Sequence, residues 1–501
     1  MPSSFAPIAL LNIAKKSATT TAMLSIFAPP TTSAKPPAIL SLIGETPLVE
    51  ITQIDTGPCQ LFLKLENQNP TGSIKDRIAL SMIEAAESEG KLKPGGTVIE
   101  ATAGNTGLGL ALVAGAKGYR VVLVIPDKMS QEKISHVRAL GAEVVLTRSD
   151  VTRGHPEYYQ DVAARLAGEI PGGFYVNQFG NPANPLAHER STGPEIWEQM
   201  RHDVDAIVVG VGSGGTLTGL GRFFNRVKPR RGIEMVLADP TGSILYEYVK
   251  TGKLVESGSW AVEGIGEDFI PEIADMSLVT DAFEIDDEES FAIARELLRK
   301  EGIFGGSSTG TLVAGALRYC RQQTQPKRVV SFVADTGNKY LSKMYNDFWM
   351  AEQGFIHRAP QGDLSDLISH RYEAGEVISI GPTDTLLTAF KRMRDADVSQ
   401  LPVVDQSGRA IGIVDESDVL VKVHRDSTHF NDQVKSAMTN RLETLPPTAK
   451  INDLLEVFDR GRVAIVMDGD KFLGLITRTD LLSYLRLHMP KSSVPPTREY
   501  L

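Results

Sequence analysis

Between Leu42 and about Tyr345, short runs of Val, Ile and Leu alternate with segments of helical period, and few folds accept that rhythm. Leu61–Leu65, Gly96–Ile99, Val121–Ile125, Glu143–Leu146, Ala206–Val211, Met235–Ala238 and Val329–Val333 read as strands. They are apolar almost throughout, as strands must be when helices cover both faces of a sheet. Asp76–Gly90, Gly107–Gly118, Gln131–Leu140 and Thr216–Val227 read as the intervening helices, each ending near Gly or a basic residue. The pattern predicts an α/β domain whose parallel-type sheets are covered by helices.

The rhythm fails around Gly354–Leu367, and behind that break the sequence repeats itself. Pro382-Thr383 opens a helical pattern followed by Leu401–Asp405 and Ile411–Val414, leading to Asp418. Pro447-Thr448 opens a second, followed by Ala464–Met467 and Leu473–Thr477, leading to Asp480. Two β-α-β-β-α copies packed together are expected from such a period. A chain of 501 residues suits several domains. The expected division is a leader over 1–38, a catalytic-sized domain over 39–350, a linker over 351–372, the duplicated module over 373–488 and a tail over 489–501.

The leader has no acidic residue before Glu45 and carries only Lys15, Lys16 and Lys35, with no arginine. It reads as a disordered extension, with Met23 as a possible true start, rather than as an organelle signal. No uncharged apolar stretch reaches the ~18 residues of a membrane helix. A net charge of −10 argues against a nucleic-acid surface. Cys59 and Cys320 offer neither metal-ligand spacing nor a disulfide framework, which fits a reducing cytoplasm.

Three turns between strand and helix carry the candidate chemistry. In Asn69–Arg77, Ser73 or Thr71 is placed to cap the next helix, putting Lys75 in its first turn. The positive potential there disfavours an ammonium and pushes Lys75 toward the neutral amine that forms a Schiff base. Seen alone, Lys75 reads more readily as a solvated surface lysine. Glu100–Gly107 follows a strand and opens a helix, a setting that suits a carboxylate or phosphate as well as an ordinary capped turn. Gly210-Val211-Gly212-Ser213-Gly214-Gly215-Thr216 can form a cup of backbone donors around a phosphate. Taken by itself, this third turn fits a dinucleotide fingerprint better: Gly210, Gly212 and Gly215 have its spacing, and Asp239 ends the next strand.

The full set favours another reading. Together with Gly305-Gly306-Ser307-Ser308, the three turns resemble the pyridoxal-phosphate enzymes of the tryptophan-synthase-β type, known as fold type II. Within that class the chain is similar to the cystathionine β-synthase family from about Pro47 to Leu485. The matching runs include Lys75-Asp76-Arg77-Ile78, Lys91–Gly95, Arg138–Glu143, Glu263-Gly264-Ile265-Gly266 and Tyr340 through Met350. The repeat resembles a tandem CBS (Bateman) module. A nicotinamide-dependent oxidoreductase would leave three of the four turns unexplained, and an adenosyl-ligand sensor with a dead front domain is the remaining rival.

The resemblance implies that pyridoxal 5'-phosphate is carried by Lys75, which also moves the substrate's α-proton. Asn105 would bond the ring hydroxyl, Gly212, Ser213, Gly214, Gly215 and Thr216 the phosphate, and Ser307 the pyridine nitrogen. A hydroxyl at that nitrogen leaves the ring neutral, a weaker electron sink that suits elimination. Thr102, Ala103, Asn105, Thr106 and Gln178 would bind the amino-acid carboxylate. The implied reaction replaces the β-substituent of serine or O-acetylserine with a thiol. Homocysteine would give cystathionine, and sulfide would give cysteine.

The chain departs from the family in places. Ala103 stands where many relatives have serine, which leaves the departing group open. Asn181–Pro185 and Thr192–Trp197 look more like cysteine synthase, whereas Gly305–Ser307 and Glu263–Pro271 look more like cystathionine β-synthase. No histidine precedes His136, and Cys59 lacks a haem-type partner, so no haem is expected. In the repeat, Thr477 and Asp480 match a ribose-contacting pattern for an adenosyl ligand. Asp418 is retained in the first copy, but Asp415 replaces the threonine. An oligomerisation module without ligand is the plainer alternative. The partners expected are small amino-acid and thiol substrates, and a homodimer or homotetramer is anticipated.

Overall fold

Two parallel sheets organise the front of the chain in a computed structural model. It describes residues 37–487 except 103, 128, 130, 152–153, 228–231, 357–361, 369–370 and 374. The expected leader, apart from residues 37–38, the tail, and part of the linker therefore lie outside the described residues. The chain divides into two compact units, one running to Leu341 and one beginning at Ser342.

The first unit contains strands β1 (Leu48–Glu50), β2 (Gln60–Lys64), β3 (Thr97–Ala101), β4 (Arg120–Pro126) and β5 (Glu143–Thr147). It continues with β6 (Gly173–Tyr175), β7 (Ala206–Val209), β8 (Glu234–Pro240), β9 (Asp281–Ile285) and β10 (Arg328–Phe332). One sheet has the order β1-β2-β10-β7-β8-β9, and the other β5-β4-β3-β6. Every pairing is parallel except β1 with β2.

Strand β4 shows why its apolar run is continuous. Val121, Leu123 and Ile125 enter one core cluster, with Ile78, Met82 and Ile83 of the Lys75–Ser88 helix. Val122 and Val124 enter another on the opposite face, against Val162 and Ala163 of the Tyr159–Glu169 helix. Burying each of these side chains contributes about 1.5–3 kcal/mol. The Lys75–Ser88 helix buries the stripe Ile78, Ala79, Met82, Ile83 and Ala86, spaced to fall on one face. It stops before Gly90, which takes the left-handed φ of +70°.

All seven strands expected from the apolar runs are present within a residue or two of the bounds read from sequence. Three short ones, β1, β6 and β9, were not anticipated, being three to five residues long. Nor were the helices Asp287–Glu301 and Ser307–Arg321. The second is buried on nearly every side, so it has no polar stripe to betray its period.

In the second unit, β11 (Gln400–Val404) pairs antiparallel with β12 (Ala410–Asp415). In the second copy, β13 (Thr444–Leu445) lies parallel to β14 (Ala464–Asp468), which pairs antiparallel with β15 (Lys471–Ile476). The parallel bridge Ile380 to Val403 stands in the first copy where β13 stands in the second. Both hairpins shift register at matching places, between Val403 and Val404 and between Val466 and Met467. The internal repeat is thus preserved down to its backbone irregularity.

Candidate active site

The three strand-to-helix turns singled out in the sequence leave the carboxyl ends of β2, β3 and β7, and Gln178 and Asp335 follow those of β6 and β10, whereas the Gly305–Ser308 turn joins two helices. Open parallel sheets place ligand sites there, because strand ends fan apart and helix starts offer free N–H groups.

Lys75 begins its helix after β2. Ser73 Oγ accepts the Lys75 N–H at 3.3 Å, but Thr71 does not cap. Instead Asp76 reaches back, accepting the Thr71 N–H at 2.7 Å and the Thr71 hydroxyl. The amine of Lys75 is held below its usual range, first by burial, with Glu267 and Asp335 opposing. Burial, more than the helix start, produces the shift. Behind Lys75 the helix is pinned by Arg77, which pairs with Glu66 at 2.7 Å and with Glu195 at 2.6 Å. Lys64 pairs with the same Glu195 at 2.7 Å. Burial opposes ionisation of Glu195, yet Arg77 and Lys64 outweigh it and hold the carboxyl at about 2.

Asn105, the first residue of the Asn105–Ala116 helix, is clamped from the other sheet. Its Nδ2 donates to Asp335 at 2.9 Å and its Oδ1 accepts from Lys339 Nζ at 2.6 Å. Tyr340 donates to the same Asp335 oxygen at 2.9 Å, while the other oxygen, Oδ1, is buried without a partner. Ser307 is buried and accepts the Glu263 N–H at 2.9 Å. Thr106 donates to Gln178 Oε1 at 2.6 Å, and Gln178 N–H donates to Glu100 at 3.0 Å. Burial raises Glu100 to about 7, against the bonds from Ala101 and Gln178. Thr102 turns inward on its own loop, accepting the Gly104 N–H at 3.1 Å. Ala103 lies outside the described residues.

The glycine turn after β7 is packed hard from behind. Ser213 Oγ accepts from Asn184 Nδ2 at 3.0 Å, and Asn184 Oδ1 is buried without a partner. A Cβ on Gly215 would stand 1.9 Å from that Oδ1, and one on Gly214, whose φ is +85°, would stand 2.4 Å from Ala274 Cβ. Thr216 Oγ1 lies 3.3 Å from His188 Nε2, whose Nδ1 meets Thr192 Oγ1 at 3.0 Å. Burial, then Arg77 and Lys75, push His188 well below its usual range, so the ring is neutral.

The backbone N–H groups of Gly212, Ser213 and Gly214 have no acceptor among the described residues. With the Thr216 hydroxyl at the start of a 13-residue helix, this donor set fits a phosphate. The half-buried amine of Lys75 fits a pyridoxal aldehyde. Asp239 does not serve a ribose: its carboxylate is buried and accepts the Tyr246 N–H at 2.8 Å, which removes the support for a dinucleotide. Sequence reasoning missed Asp335, Lys339 and His188, whose spacing carries no signal of its own.

In the second unit, the Thr477 N–H and hydroxyl both donate to Asp480 Oδ2 at 2.6 Å. In the first copy Asp415 and Asp418 form a reciprocal capping box at 3.1 and 2.7 Å. Cys59 and Cys320, remote in sequence, are neighbours in space: Cys59 Sγ lies 3.6 Å from the Cys320 carbonyl, and both thiols are free.

A family model described as pyridoxal-phosphate dependent enzyme matches residues 39–335, and a CBS-domain model matches 365–425 and 434–487. Fold and site together define a pyridoxal-phosphate dependent enzyme with a paired CBS module. Cystathionine β-synthase of Dictyostelium discoideum is 36% identical, over 91% of this chain and 93% of that one. The enzyme of that name from Saccharomyces cerevisiae is 33% identical, over 89% and 97%. The chain belongs to the cystathionine β-synthase family. A hydrogen sulfide-producing enzyme from Fusobacterium nucleatum superposes with a TM-score of 0.56 at 37% identity, covering 60% of this chain and 99% of that one. O-ureido-L-serine synthase superposes equally, at 34% identity, covering 62% and 98%. No helix among the described residues is long and apolar enough to cross a membrane.

Proposed function

We propose that the chain condenses L-serine, or O-acetylserine, with L-homocysteine to give L-cystathionine. The observation that carries this reading is the match to cystathionine β-synthases along nearly the whole chain, catalytic unit and paired module together. Bound pyridoxal phosphate supplies an electron sink that makes the substrate's α-proton removable. Lys75 holds that cofactor, and its amine, kept below its usual range by burial, accepts the α-proton and later returns it. Gly212 through Thr216 grip the phosphate with N–H groups that have no acceptor of their own. Asn105, fixed by Asp335 and Lys339, presents its amide to the ring hydroxyl, and Ser307 faces the ring nitrogen. Thr102, Ala103, Thr106 and Gln178 receive the substrate carboxylate.

A second reading, cysteine synthesis from O-acetylserine and sulfide, is favoured by the Asn181–Pro185 and Thr192–Trp197 runs. Rates with serine or O-acetylserine, each offered with homocysteine or sulfide, decide between them. Cystathionine formation faster than cysteine formation is the expected result, and the reverse order transfers the chain to the second reading.

An adenosyl compound is proposed for the paired module, at Thr477 and Asp480 with Asp418 from the first copy. A homodimer or homotetramer in the cytoplasm completes the proposal, and the free, buried thiols of Cys59 and Cys320 suit that compartment.

A further inference from the structure

Glu267 lies along the site without a part in the reading above. The segment Glu263–Glu267 runs across the site. At its start the Glu263 N–H donates to Ser307 Oγ at 2.9 Å. Midway, the Gly264 carbonyl stands 2.5 Å from where a Cβ on Gly212 would lie. The Gly266 N–H donates to the Val211 carbonyl at 2.9 Å. At its end the backbone of Glu267 is held on both sides, its N–H by Ser243 Oγ at 3.1 Å and its carbonyl by the Ile244 N–H at 3.1 Å.

The side chain of Glu267 is thereby set at the mouth of the glycine turn. Its Oε1 is 4.0 Å from the position a Cβ on Gly212 would take. The carboxyl is half-buried, coupled electrostatically to Lys75, and makes no hydrogen bond or ion pair among the described residues. A partnerless carboxylate beside a phosphate cup is poorly placed as an anion. Burial and then Asp268 raise it well above the usual carboxylate range, Lys75 pulls the other way, and Asp239 adds a smaller push upward. Tyr159, also coupled to it, brings no positive charge. A phosphate in the cup would raise it further.

We propose that Glu267 is the general acid for the departing β-oxygen of serine. The inference rests on the β-replacement reading above. Hydroxide is a poor leaving group, whereas acetate departs unaided. As Lys75 takes the α-proton, the electron pair of that C–H bond forms the Cα=Cβ bond. The Cβ–O bond breaks, and the oxygen leaves as water carrying the Glu267 proton. The incoming thiol returns a proton to the Glu267 carboxylate as its sulfur bonds Cβ, and Lys75 reprotonates Cα. Protons balance over the cycle with no further reactant.

The test compares wild-type holoenzyme with Glu267→Gln, using serine and O-acetylserine as donors to homocysteine. In E267Q, kcat/KM for serine should fall by about 100-fold or more, the usual share of a general acid. The rate with O-acetylserine should fall far less, and exchange of the serine α-proton in deuterated water should persist. In the apoprotein, the wild-type minus E267Q infrared difference should show a protonated carboxyl at neutral pH. Equal loss with both donors, an undiminished serine rate, a wild type that uses only O-acetylserine, or no protonated-carboxyl band overturns the role of Glu267. A wild type inactive with every donor and thiol overturns the β-replacement reading itself.

Discussion

Asn105 and Asp335 join the two sheets of the first unit: an amide at the carboxyl end of β3 donates across 2.9 Å to a carboxylate beyond β10. Asn105→Ala would leave Asp335 and Lys339 without that shared partner. The loss should cost about 1–3 kcal/mol, the penalty for stranding buried polar groups. Thermal melting of the apoprotein measures it. If Asn105 also bonds the cofactor, affinity for pyridoxal phosphate falls about tenfold or more for a loss above 1.4 kcal/mol.

Glycine positions should respond in opposite directions. Gly215→Ala drives a methyl to within 1.9 Å of Asn184 Oδ1 and should cost about 1–3 kcal/mol while weakening phosphate-dependent cofactor binding. Gly168→Ala, in the Tyr159–Glu169 helix, meets nothing within 4 Å and should stabilise by about 0.5–1 kcal/mol. Denaturant titration of both variants checks the pair.

Glu195 should make stability depend on acid. Its folded-state value of about 2 lies below the unfolded 4.5, so its contribution is present above about pH 4.5 and fades as pH falls toward 2. Glu195→Gln, which leaves Lys64 and Arg77 short of a buried partner, should cost about 3 kcal/mol at neutral pH. The gap between wild type and E195Q should close on acidification, measured by melting across that range.

The paired module should bind unequally. Asp418 shares its cap with Asp415, which brings no hydroxyl, whereas Asp480 shares its cap with Thr477, which does. Calorimetric titration with S-adenosylmethionine and with adenosine monophosphate should show binding that Asp480→Ala weakens more than tenfold, a loss above about 1.4 kcal/mol. Asp418→Ala should weaken it less.

The strands were legible because a sheet covered on both faces writes itself as unbroken Val, Ile and Leu, as in Val121–Ile125. The Ser307–Arg321 helix was hidden for a related reason, since burial on every side erases the stripe that marks a helix. Lys75, Asn105 and Ser307 emerged only as a set matched to a family; individually each looks like an ordinary turn residue. Asp335, Lys339 and His188 act through contacts with residues far away in the chain, which no local pattern records. The glycine turn misled when read alone, because dinucleotide and phosphate cups share the same need for bare backbone. It took the complete burial of Asp239 to separate them.

The packing behind that turn also limits how the protein can change over generations. Space that a side chain would need at Gly212, Gly214 and Gly215 is already filled by Gly264, Ala274 and Asn184, which belong to other segments. A single substitution in the turn meets an obstacle that only a second, distant substitution removes. The two must arrive together, or in an order that passes through a weakened intermediate. Such a turn drifts slowly, and so do the residues packed against it.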